Sequence, residues 1–111
     1  MEFLVSLDTW VDGKAVGCGA VRLIAVETAE IKRMYIVPDC RRQGMAGAIL
    51  RFLEDHARAL GATRVVLETV FDPPTAVALY RANGYEKISK FGPYTESEIS
   101  LCMGKIIDRP E

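Results

Sequence analysis

Histidine occurs once in this 111-residue chain, tryptophan once and cysteine three times, and the formal net charge is only −1. A single histidine, His56, cannot build a metal site, and its place among Asp55 and Arg58 marks it as a surface residue. Cys18, Cys40 and Cys102 are widely spaced and odd in number, without a Cys-x-x-Cys pair, so they read as reduced thiols rather than a disulfide framework. Cys40 stands beside the basic turn described below and reads as a bystander. The near-neutral charge gives no electrostatic case for nucleic acid or a membrane surface. No apolar run approaches the roughly 18 residues of a membrane span, and no charged-then-apolar leader opens the chain. The expectation is therefore one cytoplasmic domain over residues 1–111, half hydrophobic and about a quarter charged as ordinary globular proteins are.

The periodicities give eight elements. Residues 3–9 alternate Phe3, Val5 and Leu7 with other residues, as a half-buried strand does. Asp12-Gly13 is a hairpin signal, and residues 15–24 form the returning strand, with Gly17 and Gly19 marking close packing or a bulge. Glu27-Thr28 suits a second turn, and residues 29–37 make a third strand stopped by Pro38, completing an antiparallel meander. Trp10 reads as hairpin packing. A helix over residues 43–60 turns Ala46, Ile49, Leu50, Leu53, Ala57 and Leu60 inward and Arg51, Glu54, Asp55 and Arg58 outward, with Gly61 as its stop. Residues 64–70 are a β-branched run expected to be covered on both faces. Asp72-Pro73 reads as the cap and first turn of a helix ending near Asn83-Gly84. A short strand at 85–89, a loop at Phe91-Gly92-Pro93-Tyr94 and a last strand at 99–107 complete the chain.

The informative stretch is residues 35–50, an apolar strand, a basic turn with small residues, then an amphipathic helix. Unpaired amides gather at such a helix N-terminus with the positive end of the dipole behind them, which suits phosphate. Gly44, Ala46 and Gly47 let an anion approach the main chain, and Arg41 and Arg42 add charge. The turn lacks the Gly-Lys-Ser/Thr of a P-loop, which argues against nucleoside triphosphate chemistry. It also lacks the three-glycine dinucleotide fingerprint with its acidic residue about 20 positions on.

What it does contain, Arg41-x-x-Gly44-x-Ala46, resembles the pyrophosphate loop of the GNAT superfamily of N-acetyltransferases. Residues 76–85, Ala-Val-Ala-Leu-Tyr-Arg-Ala-Asn-Gly-Tyr, are similar to the same family's second signature, and the likeness runs from Ala29 onward. The resemblance implies an α+β fold, a mixed, mostly antiparallel central sheet with helices on both faces, here without the family's first strand and first two helices. It implies acetyl-CoA as cosubstrate, a primary amine of a small molecule or peptide as acceptor, and direct attack by the amine. By the same resemblance, the main chain of Arg42, Gln43, Gly44, Met45, Ala46 and Gly47 holds the pyrophosphate. The pantetheine arm runs along Met34, Tyr35 and Ile36, whose strand splays from its neighbour and leaves amides near Tyr35 and Ile36 facing the acetyl oxygen. Glu30 is the candidate base, with a strand-end carboxylate paired to Lys32 or Arg33 as the plainer reading and Glu68 as fallback. Tyr80 is the candidate acid, its phenol near the cofactor sulfur, with a core tyrosine as the alternative. Pro73 stands where relatives often carry Asn or Gln for the cofactor arm, and Tyr94 lines the acceptor pocket or anchors its loop. The absent front wall points to a homodimer, or to a non-catalytic acyl-CoA-binding module.

Overall fold

The computed structural model describes residues 4–41, 43–72 and 74–107, so that Phe3, Arg42 and Pro73 lie outside the described residues. Strands β1 (Leu4–Val11), β2 (Lys14–Ala25) and β3 (Thr28–Ile36) form the expected antiparallel meander. Asp12 and Gly13 both take positive φ, the backbone of a tight two-residue hairpin. The second turn falls one residue earlier than the sequence suggests. Ala25 pairs with Thr28, leaving Val26 and Glu27 as the loop.

A 3₁₀ turn at Pro38–Cys40 leads to helix α1 (Met45–Ala59), followed by β4 (Arg64–Val70), α2 (Thr75–Ala82), β5 (Glu86–Lys87) and β6 (Ser100–Ile106). The sheet order is β1-β2-β3-β4-β6-β5, and β3–β4 is its single parallel pair among the described residues. Both helices start later than their sequence signals. The first opens at Met45 rather than Gln43, and the second is capped by Pro74, not Asp72.

Gly17 and Gly19 do what their spacing suggests. A Cβ on Gly17 would lie 2.7 Å from Ile36 Cδ1, and one on Gly19 would lie 2.7 Å from Met34 Sδ and 2.9 Å from Leu53 Cδ1. Their missing side chains let α1 sit close on the sheet. Opposite Gly19 the register slips, with Arg33 in positive φ, a bulge that returns Met34 and Ile36 to the helix side.

That side holds the core. Val21, Ile31, Val65, Leu67, Leu101 and Met103 of alternate strand positions pack with Ile49, Leu50, Leu53 and Ala57 of α1 and with Tyr80 of α2. Both described helices therefore share one face, which corrects the expectation of helices on both. The opposite face carries Val16, Ala20, Glu30, Val66, Ser100 and Cys102, with the chain between β5 and β6 folding over it.

Two further expectations are corrected. Trp10 is 63% exposed, so it does not pack the hairpin. Glu54 does not point outward. It is 3% exposed and accepts a hydrogen bond from Tyr85 Oη at 2.8 Å, with Lys105 Nζ at 3.1 Å. The carboxylate thus ties α1 to β6 and to Tyr85, three residues beyond the end of α2. Removing it strands a buried phenol and a partly buried ammonium. Glu54→Ala should cost about 3 kcal/mol in urea unfolding, and an unchanged midpoint would show the cluster to be idle.

Candidate active site

Strands β3 and β4 pair only from Thr28–Arg64 to Ile31–Leu67. Beyond that rung β3 continues to Ile36 and β4 to Val70 without pairing to each other, so a gap opens in the middle of the sheet. Val37 N–H donates back to Val16 O at 2.8 Å on β2. By the alternation of strand amides, the N–H and C=O of Ile36 project from the other edge into the gap. Tyr35, opposite Cys18, turns its main-chain groups to β2 instead, which corrects the expectation that its amide faces the gap.

The turn after β3 points the chain across this gap. Gly44 caps α1 at φ 78, and a Cβ there would meet nothing within 4 Å. Glycine suits this position because left-handed backbone is strained for other side chains. Ala48 N–H reaches Gly44 O at 3.1 Å, and no side chain caps the helix. Among the described residues, no acceptor engages the amides of Met45, Ala46 and Gly47. These three residues are only half-buried, so the donors stand open at the positive end of a 15-residue helix.

The side chains around the turn behave differently from its backbone. Arg41 Nε donates to Ile36 O at 2.8 Å, and its guanidinium stacks 5.5 Å from the centre of the Tyr35 ring. Arg41 therefore braces the strand end instead of reaching across the open amides. Gln43 Nε2 donates to Asp39 O at 3.3 Å, closing the turn on itself.

At the other wall, Tyr80 of α2 is buried and packs edge-on against Tyr85 at 5.9 Å. Its hydroxyl makes no hydrogen bond among the described residues. Burial first, and the Glu68 carboxylate second, push its pKa up, so the phenol keeps its proton throughout the neutral range.

Glu30 is 3% exposed, not solvated. Arg22 Nη2 lies 3.3 Å and Lys32 Nζ 3.8 Å from its Oε1, while Tyr94 Oη donates to its Oε2 at 3.0 Å. The partners foreseen were Lys32 or Arg33. Arg22 takes the place of Arg33 because it sits on the same rung of β2, directly opposite Glu30. Glu68 has a lighter escort. Its Oε2 accepts from Ser100 Oγ at 2.7 Å, and that hydroxyl lies 2.8 Å from Ser97 Oγ.

Tyr94 is bonded to Glu30 and feels the charge of Glu68 as well. Its pKa is pushed up to about 12 by burial, by its hydrogen bond to Glu30, and by the charges of Glu30 and Glu68. A phenol whose pKa is higher in the folded state contributes stability that is complete below about pH 10 and lost as pH rises through about 12. Wild-type stability should fall across that window by more than that of Tyr94→Phe, measured by urea unfolding at pH 9 and 11. Parallel losses would show that Tyr94 plays no part.

Sequence reasoning missed Arg22, Ser100 and the Tyr94–Glu30 bond. Arg22 had a signal, since a carboxylate and a cation fall on facing positions of a predictable hairpin. The Tyr94 contact spans 64 residues through a loop and had none.

Comparison with known proteins agrees with this geometry. Residues 2–85 match the model of the acetyltransferase (GNAT) family. An IAA acetyltransferase from Azospirillum brasilense is 40% identical over 97 residues, which cover 84% of this chain and 61% of that protein. The crystal structure of a Klebsiella pneumoniae protein assigned as an acyl-CoA N-acyltransferase superposes with a TM-score of 0.88 at 36% identity, over 95% of this chain and 73% of the other. A PaiA N-acetyltransferase from Thermoplasma acidophilum, solved with coenzyme A, shares the fold at a TM-score of 0.80 and 19% identity, over 93% and 60% of the two chains. The chain thus spans about three fifths of the length of its Azospirillum relative. With its split parallel pair, its open helix N-terminus and a family match across three quarters of its length, this chain belongs to the acetyltransferase (GNAT) family.

Proposed function

We propose that this chain carries an acetyl-CoA-dependent N-acetyltransferase activity toward a primary amine of a small molecule or peptide. One observation carries the reading: three open amides stand where a gap parts β3 from β4, with a Tyr80 hydroxyl that has no hydrogen-bond partner among the described residues. The fit to acetyl-CoA is good. The main chain of Gln43, Gly44, Met45, Ala46 and Gly47 suits the diphosphate, with Arg42 outside the described residues, and the β3 edge at Met34 suits a pantetheine amide, since Ile36 O is already held by Arg41. Structural relatives solved with coenzyme A or acetyl-CoA support that assignment.

In this reading the amine nitrogen attacks the thioester carbonyl carbon, forming the C–N bond as the C–S bond breaks. Ile36 N–H faces the carbonyl oxygen. Tyr80 gives its proton to the departing sulfur, and a carboxylate takes one from the amine, directly or through water. Between the two carboxylates, Glu68 suits that second task better. The lone pairs of Glu30 are committed to Arg22, Lys32 and Tyr94, whereas Glu68 has one hydroxyl on one oxygen. Glu30 then acts as the post to which Tyr94 and its loop are tied. A homodimer in the cytoplasm belongs to the same proposal; among the described residues no helix is long and apolar enough to cross a membrane.

Calorimetry with acetyl-CoA and with desulfo-CoA, joined to an assay of thiol release over a panel of amines, tests the proposal. Binding of both cofactors and amine-dependent release are expected. No binding at millimolar concentration ends it, and binding without release from any amine reduces the chain to an acyl-CoA-binding module. Glu68→Gln should lower turnover about 10²-fold, and more than Glu30→Gln does. The reverse order would return the base to Glu30.

A further inference from the structure

Lys32 is a charged group that the chemistry proposed above leaves without a task. It sits on β3 one position past Ile31, the last residue of that strand paired to β4. Continued by that one position, the register sets Lys32 opposite Glu68 at the mouth of the gap. Alternation puts both on the face away from the helices, because Glu30 and Val66, two residues earlier, are rung partners buried there. The two strands thus present an ammonium and a carboxylate to each other at the point where they part.

These two charges do not pair with each other among the described residues. Lys32 Nζ is 3.8 Å from Glu30 Oε1, close enough for an ion pair but too far for a hydrogen bond. Its three donors therefore make no hydrogen bond among the described residues, and its side chain is 31% exposed. Glu68 is half-buried, with Oε2 held by Ser100 of β6 and Oε1 without a hydrogen bond among the described residues. Its charge raises the pKa of Tyr80 on the helix side and of Tyr94 on the other, as a carboxylate standing where the sheet is open should. Tyr94 is tied to Glu30, so its loop is anchored on the paired side of both groups.

We propose that Lys32 and Glu68 together select an acceptor that carries its amine and a carboxylate on one carbon, an α-amino acid. On the N-acetyltransferase reading above, on which this inference rests, the amine gives its proton to Glu68. The substrate carboxylate accepts a charge-assisted hydrogen bond from Lys32. Lys32 keeps its ion pair to Glu30 meanwhile, since an ammonium has three donors. Neighbouring strands lie about 4.8 Å apart where they pair, and charges that face each other just past the last rung suit two groups one carbon apart. Lys32 thus decides which amines are turned over without touching the acetyl group.

The test is thiol release from acetyl-CoA with the common α-amino acids, their carboxamides and simple alkylamines. The fastest amino acid is taken forward with its own amide, and the ratio of their kcat/KM is measured. In Lys32→Met that ratio should fall about tenfold or more, as loss of one charge-assisted contact implies, and Lys32→Arg should largely restore it. Added salt should lower the wild-type ratio. Coenzyme A affinity, measured on each variant, checks that the fold is intact. Turnover of amides or alkylamines but of no amino acid overturns the proposal, as does a ratio unchanged in Lys32→Met. Should Lys32→Met fail to bind coenzyme A, a wild-type ratio indifferent to salt overturns it instead. A wild-type protein that acetylates no amine at all overturns the N-acetyltransferase reading, and this inference with it.

Discussion

Tyr80→Phe should lower kcat about 10²-fold or more while leaving the affinity for coenzyme A within about twofold, because general acids contribute 10²–10⁴ to rate but little to ground-state binding. The substitution removes one oxygen from a ring that is buried against Tyr85 and otherwise keeps its packing. That oxygen has no hydrogen-bond partner among the described residues, so its loss breaks no internal bond and unfolding should barely change. A structural tyrosine would behave in the opposite way, with stability falling and rate holding. Burial and Glu68 both raise the Tyr80 pKa, so the phenol is fully protonated at neutral pH. The wild-type rate should therefore show no loss assignable to Tyr80 until strongly alkaline pH. Unchanged turnover in Tyr80→Phe would remove Tyr80 from the chemistry.

The fold was legible in the sequence where local signals decide it. Asp12-Gly13, the alternation in the first strands and the dense apolar run at 64–70 each select one local conformation, and each appears where expected. Helix starts were less legible. Pro74 rather than Asp72 caps α2, and α1 waits for the left-handed Gly44. Glu54 shows how a charge misleads. It lies four residues after Leu50 and three before Ala57, so the helical period places it in the core stripe. Its two partners, Tyr85 and Lys105, lie 31 and 51 residues away and make burial tolerable. Side of sheet was also hidden. Nothing in the local pattern of α2 says which face it covers, because that depends on the crossover from β4. The split between β3 and β4 was expected from family likeness, and no strand pattern announces it. It arises where a pairing that holds for four rungs stops after Ile31–Leu67.

Ala46→Glu should weaken coenzyme A binding at least about 100-fold, or about 3 kcal/mol, while leaving the protein as stable as before or slightly more so. The two effects share one cause. Ala46 is the second residue of α1, half-buried, with an amide that lacks an acceptor among the described residues. A carboxylate placed there completes the helix end, interacting with the dipole and the free amides by about 0.3–1 kcal/mol. The same carboxylate then competes for the donors that a diphosphate requires and repels its charge at close range. Ala46→Gln, with the size but not the charge, should lie between wild type and Ala46→Glu, and high salt should recover part of the loss in the charged variant alone. Mere obstruction would make Gln and Glu equivalent and salt-insensitive. If Ala46→Glu bound coenzyme A as wild type does, the diphosphate would have to sit elsewhere. The turn at Gly44 would then be only a way of starting a helix.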